Sequence, residues 1–142
     1  MKSNLISRFA AVAIVAVAAL CGSLAHSQAA SLLSTRVVNQ KASPANPVRS
    51  GQLVKFTAQV QYKDSKGVWR LLTNSSVGVE FRVFKQPHKV VPLAKDGSVT
   101  YSTRVYGTGK PGTTDSCFCG IIVQKDKVFN GSSASVLVVI KN

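Results

Sequence analysis

Between Leu53 and Tyr62 the chain reads LVKFTAQVQY, with apolar and polar residues in unbroken alternation. Successive side chains of a strand point to opposite faces, so Val54, Phe56, Ala58, Val60 and Tyr62 share one side, and Lys55, Thr57, Gln59 and Gln61 the other. A helix of this sequence would scatter both classes around its circumference. The stretch therefore commits to a strand with one face in a core and one in water. The same period returns in VGVEFRVF, with Val77, Val79, Phe81 and Val83 inward and Glu80 and Arg82 outward, and in SVTYSTRVY, with Val99, Tyr101, Thr103 and Val105 on one face. SASVLVVI is the last strand. STRVVN reads as a first edge strand, and VWRLL as a short piece pairing back on the strand before it. KVVPLA is confined to an edge or a bend, because Pro92 has no amide proton to give to a ladder.

Turn signals separate these runs: KDSKG, KDG and the loop GTGKPGTTDS. After the first thirty residues no stretch holds a helical period over ten or more residues. Strand-like runs recurring between turns predict an all-β protein, an antiparallel β-sandwich of about seven strands. Residues 30–142 form this one domain, long enough to bury a core without a disulfide framework.

Residues 1–29 read as a signal peptide. Lys2 and Arg8 flank the start, Phe9 to Leu20 is an uninterrupted apolar stretch, and Ser27-Gln28-Ala29 offers small residues for cleavage after Ala29. An uncleaved anchor is the alternative, although the stretch is shorter than the ~20 apolar residues that span a bilayer. A lipoprotein cleaved before Cys21 is disfavoured by Leu20, where a small residue is wanted. Export places the protein in a secreted or periplasmic setting, with no transmembrane segment after processing, and leaves Cys117 and Cys119 as an even pair in an oxidising compartment.

The order of motifs carries a resemblance. SGQLVKFTAQV, then VGVEF, then DGSVTY, then VFNGSSAS before VLVVI resembles the bacterial immunoglobulin-like domains of surface and secreted proteins, over most of Ser34 to Lys141. The resemblance implies an immunoglobulin-like sandwich acting as a stalk, adhesin or binding module at the cell envelope, with no shared catalytic residues. The chain departs from the pattern in GVWRLLTNSS and in the CFC stretch.

Catalysis needs convergent titratable groups, and past residue 30 the chain offers His88, Asp64, Glu80, Asp96, Asp115 and Asp126. Asp64, Asp96 and Asp126 sit beside Lys or Gly in turns, where an aspartate caps its own backbone. No pair suggests acid and base work, no spacing makes a calcium loop, and the reading is of a protein that is not an enzyme and carries no cofactor. In an extended strand Cys117 and Cys119 share a face with Ile121 and Val123. Three states compete for them: a disulfide between the two, which needs a bend near Gly120; two free buried thiols; or a soft-metal or redox site with His88 as a further ligand. The disulfide is the leading expectation. The bridge usual in immunoglobulin domains is excluded, because the opposing strand holds Ala58. Trp69 and Arg70, with Tyr62 and Lys66 nearby, are the candidate binding residues, a stacking platform for sugars or bases, against the reading that Trp69 covers the end of the sandwich. The sequons at Asn74 and Asn130 matter only in a eukaryotic secretory pathway.

Charge is the strongest hint of function. Without Lys2 and Arg8 there remain 16 basic against 5 acidic residues, a net +11. Such a surface attracts polyanions, so the expected partners are anionic envelope polymers or glycans, or another envelope protein. The lysines stand singly along the sequence, which argues against sequence-specific nucleic-acid binding. The alternative to this binding or structural module is a small exported metal-binding or redox protein using Cys117 and Cys119.

Overall fold

A computed structural model describes residues 31–73 and 76–142. The proposed signal segment, Cys21 and the sequon at Asn74 lie outside the described residues. Among those described there is no helix, and nine strands pack as two sheets. The strands are β1 (Thr35–Ser43), β2 (Val48–Arg49), β3 (Leu53–Lys63), β4 (Trp69–Leu71), β5 (Gly78–Val83), β6 (Lys89–Pro92), β7 (Ser98–Arg104), β8 (Thr114–Val123) and β9 (Ser132–Lys141). In the first sheet β3 is central. It pairs antiparallel with β1 on one side, and on the other with β7 along its first half and β4 at its far end. The second sheet runs β2-β9-β8-β5-β6, antiparallel except that β2 lies parallel to β9.

The alternation read from the sequence decides what lies between the sheets. Phe56, Ala58 and Val60 of β3 are buried with Phe81 of β5, Val99 of β7 and Ile140 of β9, and Val136 packs against this cluster from a partly buried position. Phe81 and Tyr101 hold their ring centroids 5.4 Å apart across the two sheets. VWRLL does pair back on β3, and KVVPLA does lie at a sheet edge, with Pro92 opposite Gly78.

Two features depart from the expected strands. β2 is a short addition, and β1 continues past STRVVN to Ser43 through a bulge. The bulge sets Val38 opposite Gln59 and Lys41 opposite Thr57, so one extra residue is accommodated between them. Asn39 takes it up with φ at 53°, a left-handed conformation that asparagine tolerates better than most residues. β2 is only two residues long, yet Val48 is buried. Beside it the Asn46 side chain donates to the Leu137 carbonyl (2.9 Å) and accepts from the Val139 amide (3.0 Å), standing in for a ladder partner along the edge of β9.

The expected disulfide is a correction: Cys117 and Cys119 are both free. β8 stays extended through CFCG, with Cys117 opposite Val138, Cys119 opposite Val136 and Gly120 opposite Ser135, so no bend at Gly120 draws the sulfurs together. Two residues on one face of an extended strand stand about 6.5–7 Å apart, at the far limit of bridge geometry. Both thiols point inward as part of the apolar core.

Candidate functional site

Because side-chain direction is set by register, the outer face of the first sheet can be read row by row. β3 presents Leu53, Lys55, Thr57, Gln59, Gln61 and Lys63 outward. Arg36, Val38, Lys41 and Ser43 of β1 lie beside them on one flank. On the other flank lie Ser98, Thr100, Ser102 and Arg104 of β7, and Trp69 and Leu71 of β4. The face thus carries five cations, Arg36, Lys41, Lys55, Lys63 and Arg104, among amides and hydroxyls, and no carboxylate occupies any of these rows. Cations that stand singly in sequence are gathered here by the pairing of strands.

The acidic residues are committed elsewhere. Asp64 accepts from the Lys66 and Val68 amides (2.9 Å each) and pairs with Arg70 at 2.6 Å, a guanidinium contact that holds its carboxyl below the usual range. Asp96 caps Ser98, and the bond from the Ser98 hydroxyl lowers its pKa in turn. Asp126 accepts from the amides of Val128 and Phe129. Turn capping, the reading made for these three from sequence, is what each does. Asp115 binds Thr108 and Asn142, closing the loop before β8, and Asn142 is the main cause of its lowered pKa. Glu80 lies on the other sheet, between Arg82 (2.8 Å) and His88 (2.9 Å).

The three residues singled out for binding do not converge. Trp69 stands half-buried on the outer face opposite Lys63, with the Arg36 guanidinium 4.3 Å from its ring centroid and the Lys63 ammonium at 6.0 Å. Arg70 falls on the opposite row, across from Tyr62, and is engaged by Asp64. Lys66 is exposed in the turn between β3 and β4. Trp69 thus lies against two cations of the face at the β4 end of β3.

Farther along β3 an open hollow of about 690 Å³ lies between the bulge of β1 and the start of β7. Asn39, Gln40 and Lys41 form one wall, Ser98 and Thr100 the other, and Thr57, Ala58 and Gln59 the floor. The Asn39 amide donates to Gln59 Oε1 at 2.7 Å, and Arg36 Nε donates to Gln61 Oε1 at 2.8 Å. Thr57 Oγ1 is buried with no hydrogen-bond partner in the protein. The sequence announced Thr57, Gln59 and Gln61 as an exposed row but not the hollow. The available signal was Asn39, a residue tolerant of left-handed backbone interrupting a β-branched run.

The outer face of the second sheet is different. Phe118 is 62% exposed opposite Leu137, and a hollow of about 510 Å³ lies among Arg82, Phe84, His88, Cys117 and Phe118. Cys117 is 7% exposed at its edge and Cys119 fully buried; burial pushes both thiols up, Cys119 to about 12 with the charge of Cys117 adding to the effect. A thiol so placed is a poor nucleophile and a poor soft-metal ligand, since both roles need the thiolate. His88, the further ligand expected of a metal site, is bound to Glu80, and among the described residues no three His, Cys, Asp or Glu side chains converge on a point where a metal ion could sit. No helix of the described residues is long and apolar enough to cross a membrane. The chain matches no known family model, and no curated protein matches it with significance.

Proposed function

We propose that the protein is an exported, non-catalytic immunoglobulin-like module of the cell envelope that binds anionic polymers through the outer face of its first sheet. One observation carries this reading: Arg36, Lys41, Lys55, Lys63 and Arg104 share that face with no carboxylate among them. Like charges held on one surface without carboxylate partners raise the potential above it and favour a polyanion over a neutral ligand. The immunoglobulin-like assignment is supported by strand order. β1-β3-β7 facing β9-β8-β5 reproduces the arrangement of first, second and fifth strands against the last, the one before it and the third, once the short β2 and β4 are set aside and β6 is counted as the fourth. The N-terminal segment read as a signal peptide supports export.

The test is binding of a soluble polyanion such as heparin across a salt series, to the wild type and two triple variants. Lys41→Glu, Lys55→Glu and Lys63→Glu together reverse the proposed face. Lys89→Glu, Lys110→Glu and Lys127→Glu make the same change in net charge elsewhere. The first set loses at least tenfold in affinity at low salt, on the scale of ~1 kcal/mol for each contact in water. The second loses much less. Equal losses would show that total charge acts and that this face has no special part.

A further inference from the structure

Polyanions differ in what they present besides charge, and the hollow on the same face discriminates among them. We infer that it is a subsite for an acidic polysaccharide, one whose sugars carry carboxylate or sulfate groups, and that the chain of the glycan lies along β3. The inference rests on the binding reading above and names the class of polymer.

The walls and floor supply the groups that recognise a sugar ring. Asn39 and Gln59 offer the amide groups not spent on their mutual bond, Thr100 a hydroxyl able to donate and accept, and Ser98 a hydroxyl oxygen that accepts while its proton goes to Asp96; Lys41 is the one charge. A volume of about 690 Å³ falls within the range of small-ligand sites. Thr57 adds a hydroxyl that the protein leaves unpaired. Buried polar groups are paired in the great majority of cases, so an unpaired one beneath a hollow lined with donors and acceptors points to a partner supplied from outside. The bulge is what opens the space, since the extra residue at Asn39 lifts β1 from strict register beside Gln59.

From the hollow the outward row continues as Gln61 bonded to Arg36, then Lys63 beside Trp69. Thr57 to Lys63 spans about 20 Å at ~3.3 Å per residue, so amides and cations alternate over a length that takes several sugar rings. Single-stranded nucleic acid is the weaker fit. It binds by stacking successive bases on aromatic side chains, and this face has one aromatic residue, already covered by Arg36. Duplex grooves are read by an inserted helix or ribbon, and a sheet face offers neither.

The experiment is calorimetric titration of the exported protein with four probes: a tetrameric polyuronate, a sulfated tetrasaccharide, the neutral cellotetraose and oligo-dT. Two variants test the hollow. Asn39→Gly removes the amide while keeping a residue at ease with φ near 53°. Gln59→Glu keeps the acceptor used by Asn39 and sets a negative charge against the ligand. The expected result is tighter binding of at least one acidic oligosaccharide than of cellotetraose, at least a tenfold loss in each variant, and less than twofold change in oligo-dT binding by Asn39→Gly. Should either variant melt early, Thr57→Val, which keeps shape and removes the hydroxyl, takes its place. Acidic glycan binding that is indifferent to these changes, or cellotetraose bound as well as the acidic probes, overturns the subsite and leaves the polyanion reading standing. So does oligo-dT binding that falls in parallel. No binding of any anionic probe, at any salt, ends both.

Discussion

Phe56→Ala tests the architecture at its centre. Phe56 is fully buried on β3, opposite Tyr101 of β7 and Ala42 of β1, in the core that also holds Phe81. Truncating a buried phenylalanine removes its apolar burial and leaves a cavity that a core pinned between two sheets cannot collapse, a cost of about 3–5 kcal/mol. A domain of this size has a total stability of ~5–15 kcal/mol, so the loss is a large part of the whole. At roughly 4 °C per kcal/mol or somewhat more, the melting temperature falls by about 12–20 °C or more. Lys55→Ala, one residue away, is the internal control: Lys55 is exposed on the outer face, and its replacement changes stability by no more than ~0.5 kcal/mol. The assay is thermal and urea denaturation of both variants beside wild type, with the urea m-values compared. Equal stability of the two variants would refute the facing of β3, since a slip of one residue exchanges every inward side chain for an outward one.

Thiol titration of the denatured protein without reductant should count both Cys117 and Cys119, whereas the folded protein should react slowly; a count of zero in denaturant would show a bridge between them. Alkaline pH should destabilise the fold through Cys119. Its pKa rises from 9.0 to about 12 on folding, so the contribution is intact below pH 9 and lost as pH climbs toward 12, at most about 4 kcal/mol at ~1.4 kcal/mol per tenfold change. Cys119→Ala should flatten that limb, and an unchanged limb would reject the cause. Acid acts with the opposite sign: Asp64, Asp96, Asp115 and Glu80 all have lowered pKa values in the folded state, so their stabilisation is full above the ordinary values of 3.8 and 4.5 and drains as pH falls through the lowered ones. Melting temperatures between pH 6 and 2 would read this, and Asp115→Asn should blunt the fall. Intact mass of protein recovered from its compartment should correspond to a chain beginning at Ala30; retention of Met1 would revive the membrane anchor.

What could be read from the sequence divides by the range of the interactions involved. Strands β3, β5, β7 and β9 were legible because alternation is a local signal, and the turn aspartates because an Asx cap spans only two or three residues. β2 was not legible. Its two residues carry no period of their own and become a strand only by lying parallel to the far end of the chain, Val48 beside Ile140 and Arg49 beside Lys141. The thiols illustrate a different limit. Their common face followed from spacing, but whether they bridged depended on whether β8 bent at Gly120, and that was decided by pairing with β9 on one side and β5 on the other.

The candidate site was hidden for the same reason that the strand faces were plain. Each strand announces which of its residues face water, yet a surface is made by strands side by side, and their order cannot be read from any one of them. Arg36, Lys41, Lys55, Lys63 and Arg104 spread over nearly half the chain, and in sequence they looked like a diffuse basic surface. β3 pairs with β1 and β4 at one end and with β1 and β7 at the other, and this brings the five together. The same pairing leaves the second sheet with Phe118, Leu137 and the Glu80 ion pairs on its outer face. The sandwich thus has two chemically different sides. One carries cations with no carboxylate among them, and the other exposes Phe118 and Leu137 beside the ion pairs of Glu80 with Arg82 and His88. Binding through a diffuse charge cloud would depend only on net charge, whereas binding through this face depends on which lysines are reversed.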